Sequence, residues 1–131
     1  MVLVCPPVTI DQLQLALLGS WQSDTAYLGV YQVNNPALGQ CYPTARLVQR
    51  FFPHFEIVAG KVDTGSSIEA HFWNIDPAQA PPEHIDLTWR QFPARAQVVE
   101  YAILDRHLLN DSAPTVKRCE LLLRRVLSRL S

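Results

Sequence analysis

Three consecutive runs of strand-forming residues, 55–62, 68–75 and 84–88, are separated by Asp63-Thr64-Gly65-Ser66 and by a proline-rich stretch, 76–82. Helical patterns precede and follow these runs, and none interrupts them. That order favours an α+β fold, with N-terminal helices packed on a small antiparallel sheet. The chain has 131 residues, 48% of them apolar and 18% charged. This is the make-up of a single domain, 1–131, whose core needs neither metal nor disulfide to fold.

The first helix pattern begins at Val8-Thr9-Ile10-Asp11 with Thr9 as N-cap. Ile10, Leu13, Leu17 and Leu18 then recur at helical spacing until Gly19. A second stripe, Ala45, Leu47, Val48, Phe51 and Phe52, must stop before Pro53. Ala113-Pro114-Thr115 opens a third helix that carries Val116, Cys119, Leu122, Leu123, Val126 and Leu130 on one face. Residues 20–40, rich in Asn, Gly, Ser, Tyr and Pro, suit a shaped loop, and a connection of that length is often functional. Residues 89–92 suit a short helical turn closed by Pro93, and 98–109 fit strand and helix equally well.

A net charge of −1, with no basic block before the C-terminal turn, argues against nucleic acid and anionic membranes as partners. The apolar run at 15–18 is far too short to cross a bilayer, and Met1-Val2-Leu3-Val4 lacks the charged start of a signal peptide. A cytoplasmic protein is expected. Cys5, Cys41 and Cys119 are odd in number and lack CxxC spacing, which argues against a disulfide framework and against structural zinc.

Cys41 falls at the junction between the long loop and the second helix, where unpaired backbone N–H groups stabilise a thiolate and can hold an oxyanion. Pro43 disfavours helical geometry at Tyr42 and so works against a start as early as Cys41. His71 lies in the second strand run and Asp86 in the third. If those strands pair, the three align as nucleophile, base and orienting acid. Strand alternation puts Trp73 on the face of His71, and His84 on the face of Asp86, leaving Ala70, Phe72, Asn74, Ile85 and Leu87 for the other side. Each residue also has a plain structural reading: Cys41 as a small buried hydrophobe, His71 as a hydrogen-bonded strand residue, and Asp86 as a partner for loop backbone. Zinc on Cys41, His71, His84 and Asp86 would lack the close-spaced ligand pairs of structural sites. Cys5 and Cys119 suit packing, and His54 and His107 suit surface or loop positions. No metal or other cofactor is implied.

Taken together, Ser20-Trp21, Thr25, Asn35-Pro36, Gly39-Gln40-Cys41, Thr44-Ala45, His71-Phe72-Trp73-Asn74, Ile85-Asp86-Leu87-Thr88 and Gln91-Phe92 resemble the YunG family of small bacterial proteins. Arg118-Cys119-Glu120-Leu121-Leu122 resembles that family's last helix, with Cys119 where an aromatic is more usual. That resemblance brings no established activity with it. A more distant likeness, to the transglutaminase-like branch of the papain-like cysteine enzymes, implies a Cys41 thiolate, a His71 base and an Asp86 carboxylate. Gln40 would then offer its amide to an oxyanion, Trp21 and Trp73 would either wall a cleft or simply pack in the core, and Asn74 and His84 would complete the binding surface. The expected activity is amide hydrolysis or acyl transfer on a peptide, protein or small amide. The alternative is a binding domain on the same scaffold without turnover, and the sequence leaves the oligomeric state open.

Overall fold

The structure, a computed structural model, describes residues 7–130. Its elements are helix α1 (Ile10–Ser20), helix α2 (Cys41–Phe51), strands β1 (Glu56–Asp63), β2 (Ile68–Asp76), β3 (Glu83–Ile85) and β4 (Gln97–Ile103), and helix α3 (Ala113–Leu130). The sheet order is β3-β2-β1-β4, with every neighbouring pair antiparallel. The fold is therefore α+β, as the order of elements predicts. The connections β1–β2 and β2–β3 are too short for a crossover helix, which requires about a dozen residues or more.

Local chemistry accounts for the element ends. Thr9 Oγ1 accepts from the Gln12 backbone N–H at 3.1 Å, and Gln12 Oε1 accepts from the Thr9 N–H at 2.9 Å, forming a capping box. Ser112 Oγ accepts from the Thr115 N–H at 3.3 Å and so caps α3. The β1–β2 turn passes through Gly65 at φ +88°, where Asp63 Oδ1 accepts from the Gly65 N–H. Segment 98–109, open between strand and helix, begins as β4 and pairs with β1 across a register shift that leaves Val99 as the extra residue.

The helices arrange themselves differently from the expectation. α1 packs on α3, while α2 lies between α3 and the sheet. Leu13, Leu17, Trp21, Leu47, Val48, Leu122 and Val126 form the helical core, and Val58, Trp73 and Ile75 form a smaller cluster on the sheet. Helix α2 therefore bridges the two layers, and the residues at its first turn decide what faces the sheet.

Candidate functional site

The chain enters α2 through Gly39 at φ +79°, where a Cβ would press on the Ala26 side chain and the Tyr27 nitrogen. Helix α2 then starts at Cys41, despite Pro43. Pro43 occupies the first turn, where its missing N–H would have had no intrahelical partner. Four hydrogen bonds fix this turn. Gln40, fully buried, donates from Nε2 to the Gln22 carbonyl at 2.9 Å and accepts from Thr25 Oγ1 at 2.8 Å. Trp21 Nε1 donates to Thr44 Oγ1 at 3.0 Å, and Asn74 Nδ2 donates to the Ala45 carbonyl at 2.9 Å.

These contacts place three of the sequence candidates. The Gln40 side chain is fully buried, and its amide is bonded to the loop at Gln22 and Thr25. Trp21 is a core residue whose polar edge ends on Thr44, so it walls no cleft. Asn74 pins the helix to the sheet instead of lining a binding surface. In each case a buried polar group found its partner inside the protein, as burial requires. No side chain caps the N-terminus of α2.

Across from this helix end, His71 and Asp86 meet. His71 Nε2 and Asp86 Oδ2 are 2.7 Å apart, the imidazole fully enclosed and the carboxylate 17% exposed. Asp86 reaches this position by a route other than the one expected. β3 ends at Ile85, so strand alternation does not place Asp86. A turn does: Asp86 Oδ1 accepts from the Thr88 backbone N–H at 3.2 Å and from its hydroxyl at 3.4 Å. Thr88 and Phe92 enter the sequence reading only through the family likeness and Trp89 only through a short turn, none of them with a role at this site. The Asp-x-Thr spacing was the available signal for Thr88.

Aromatic rings enclose the imidazole. Trp73 stacks on it with centroids 5.5 Å apart and planes 25° apart, Phe92 meets it edge-on at 4.8 Å, and Trp89 lies at 6.1 Å. Trp73 itself fits because β1 has Gly60 opposite His71; a Cβ there would sit 2.4 Å from the indole. His84 is exposed and one ring removed: its Nδ1 accepts from Trp73 Nε1 at 3.0 Å. Trp73 therefore shares the face of His71 as alternation predicts. The other face is less uniform, with Ala70 exposed and Asn74 buried.

Burial alone would depress the His71 pKa. The hydrogen bond to Asp86 and the interaction with the Cys41 side chain outweigh burial and lift it from 6.5 to about 9. The second ring nitrogen, Nδ1, is buried and makes no hydrogen bond. Cys41, His71 and Asp86 are thus brought together around one imidazole, with Asp86 directly bonded and Cys41 coupled electrostatically. Among the described residues no group of three or more His, Cys, Asp or Glu is placed to hold a metal ion.

The other described cysteine has different surroundings. Burial pushes the Cys119 thiol up to about 11, and the Asp111 carboxylate adds to the effect. Asp111 accepts from the Tyr42 hydroxyl and pairs with Arg46 at 2.9 Å. Cys5 lies outside the described residues. No described helix is long and apolar enough to cross a membrane.

Neither curated proteins nor solved structures provide a match to this chain. The family described as YunG protein matches residues 9–131, and the protein belongs to the YunG family.

Proposed function

We propose that this protein is a cysteine-dependent amide hydrolase or acyltransferase on a reduced papain-like or transglutaminase-like scaffold. The observation that carries this reading is the His71 imidazole, closed off from solvent, bonded to Asp86 through one nitrogen and coupled to Cys41. An acidic partner on Nε2 fixes the orientation of the ring and raises its pKa, so that Nδ1 can hold the proton that comes from Cys41. A thiol at a helix start, an imidazole on an adjacent strand and a carboxylate from the next connection also follow the order found in those enzymes.

The steps follow from the groups present. Nδ1 takes the Cys41 proton, and the thiolate attacks the carbonyl carbon of an amide. Charge on the resulting oxyanion is met by backbone N–H groups at the uncapped start of α2, the role expected of Gln40. The imidazolium passes its proton to the departing amine, leaving a thioester on Cys41. Water or an acceptor amine then attacks that thioester, His71 takes its proton, and the thiolate is released. The substrate is a peptide, a protein side-chain amide or a small amide, and no cofactor enters the steps.

One observation favours a second reading, a binding domain without turnover: Nδ1 makes no hydrogen bond to the thiol. Site-resolved iodoacetamide labelling separates the two. An enzyme should alkylate Cys41 at least about tenfold faster than Cys119 at pH 7, because a thiol held near pKa 11 is almost wholly protonated there. His71→Ala should slow Cys41 by about tenfold or more while leaving Cys119 unchanged. Equal rates at the two cysteines, or a Cys41 rate indifferent to His71, would leave only the binding reading.

A further inference from the structure

The loop preceding Cys41 has a composition that its own folding does not require. Residues 25–45 contain no Asp, Glu, Lys, Arg or His. Within that stretch Tyr27, Leu28, Val30, Tyr31 and Val33 are all exposed, Leu28 by 78% and Val33 by 87%. Leu28 also holds φ +55°, a left-handed conformation that Gly, Asn or Asp adopts more readily. An apolar side chain that is both exposed and set on unfavourable backbone serves neither the core nor the turn. Contiguous apolar exposure of this kind marks an interaction surface.

The loop is also fixed in place, at both sides of the proposed reactive centre. Tyr27 N–H donates to the Gly39 carbonyl at 2.9 Å, two residues before Cys41. At the far end, Asn35 Nδ2 donates to the Gln91 carbonyl at 3.1 Å, in the turn whose Trp89 and Phe92 pack on His71. The exposed apolar residues therefore lie on a span that runs from the thiol side to the imidazole side. Arg118 lies over the Tyr27 ring at 5.8 Å, at the edge remote from Val33 along the chain. A fixed surface needs little ordering when a partner arrives, which favours binding.

We propose that this loop is the substrate-docking surface of the Cys41 site, and that its occupant is an uncharged peptide segment with apolar or aromatic side chains beside the reacting amide. The proposal rests on the reading of Cys41 as nucleophile, but the surface can be examined without that chemistry. Fluorescence anisotropy of the Cys41→Ala chain would compare fluorescein-labelled Leu-Phe-Gln-Gly with fluorescein-labelled Asp-Lys-Gln-Gly. The apolar peptide should bind at least about tenfold tighter, the scale expected from burying one large apolar side chain. Leu28→Asp with Val33→Asp, both at exposed positions, should bring the two peptides within about twofold. In a chain that keeps Cys41, the same pair of changes should leave iodoacetamide labelling of Cys41 as it was.

Equal affinities, no detectable binding of the apolar peptide, or a preference that survives the double substitution would overturn the proposal. A native dimer that the double substitution converts to a monomer would also overturn it, by making a second copy the occupant. Apolar preference together with an unreactive Cys41 would uphold the surface and remove the catalytic reading instead.

Discussion

Cys41 opens α2 beside a buried imidazole that already has a carboxylate partner, whereas Cys119, midway along α3, lies near a carboxylate that Tyr42 and Arg46 share. The contrast lies in what each thiol finds. Cys41 has a buried imidazole whose Nε2 is bonded to Asp86. Cys119 has burial and the negative field of Asp111, both of which keep its proton on. One residue type thus takes opposite electrostatic surroundings within one small domain, and composition alone would not separate them.

The contrast should be largest in the pH dependence of stability. His71 is raised from 6.5 to about 9, so its contribution is complete below pH 6.5 and is lost as pH climbs through about 9. The loss should amount to about 3 kcal/mol. Cys119 is raised from 9 to about 11, so it costs nothing below pH 9 and destabilises the fold progressively between 9 and 11. Urea denaturation across pH 6 to 11 should show the first loss disappear in His71→Gln and the second in Cys119→Ser. A single window abolished by neither substitution would break the comparison.

Gly60→Ala should sharpen it. The new methyl would meet the Trp73 indole at 2.4 Å and the Glu100 carbonyl at 2.9 Å. It should destabilise the protein by about 1–3 kcal/mol. Because Trp73 is the ring stacked on His71, the substitution should also slow alkylation at Cys41 and leave Cys119 alone. Full stability by chemical denaturation would contradict the packing described here.

The smallest effect is expected at the other thiol. Asp111→Asn removes the carboxylate that helps hold Cys119 protonated, so alkylation of Cys119 at pH 9 should rise by a few-fold. Cys41 should not respond. A matching rise at Cys41 would mean that the two surroundings are not separate.

Much of the arrangement was legible before the structure, and the failures have a common cause. Thr9 was visible as a cap because capping depends on residues three apart. His71 and Trp73 were placed on one face because alternation within a strand is local. Asp86 was chosen for the wrong reason: β3 stops at Ile85, and an Asp-x-Thr turn brings the carboxylate to His71. The hydrogen bonds of Trp21, Gln40 and Asn74 could not be read in advance, because their polar atoms find Thr44, the loop at Gln22 and Thr25, and the Ala45 carbonyl, partners distant in sequence. Similarly, α1 was expected on the sheet, but packs on α3, a choice set by the far end of the chain. Gly60 gave no signal at all, since its role is to leave room for a ring on the neighbouring strand.

The central claim is that Cys41 and Asp86 both act on the His71 imidazole, and an NMR titration of the His71 ring tests it most directly. The account predicts a midpoint near 9 in the native chain, with Cys41→Ser and Asp86→Asn each lowering it towards 6.5. A native midpoint near 6.5, or one that ignores the loss of the Cys41 sulfur, would contradict it.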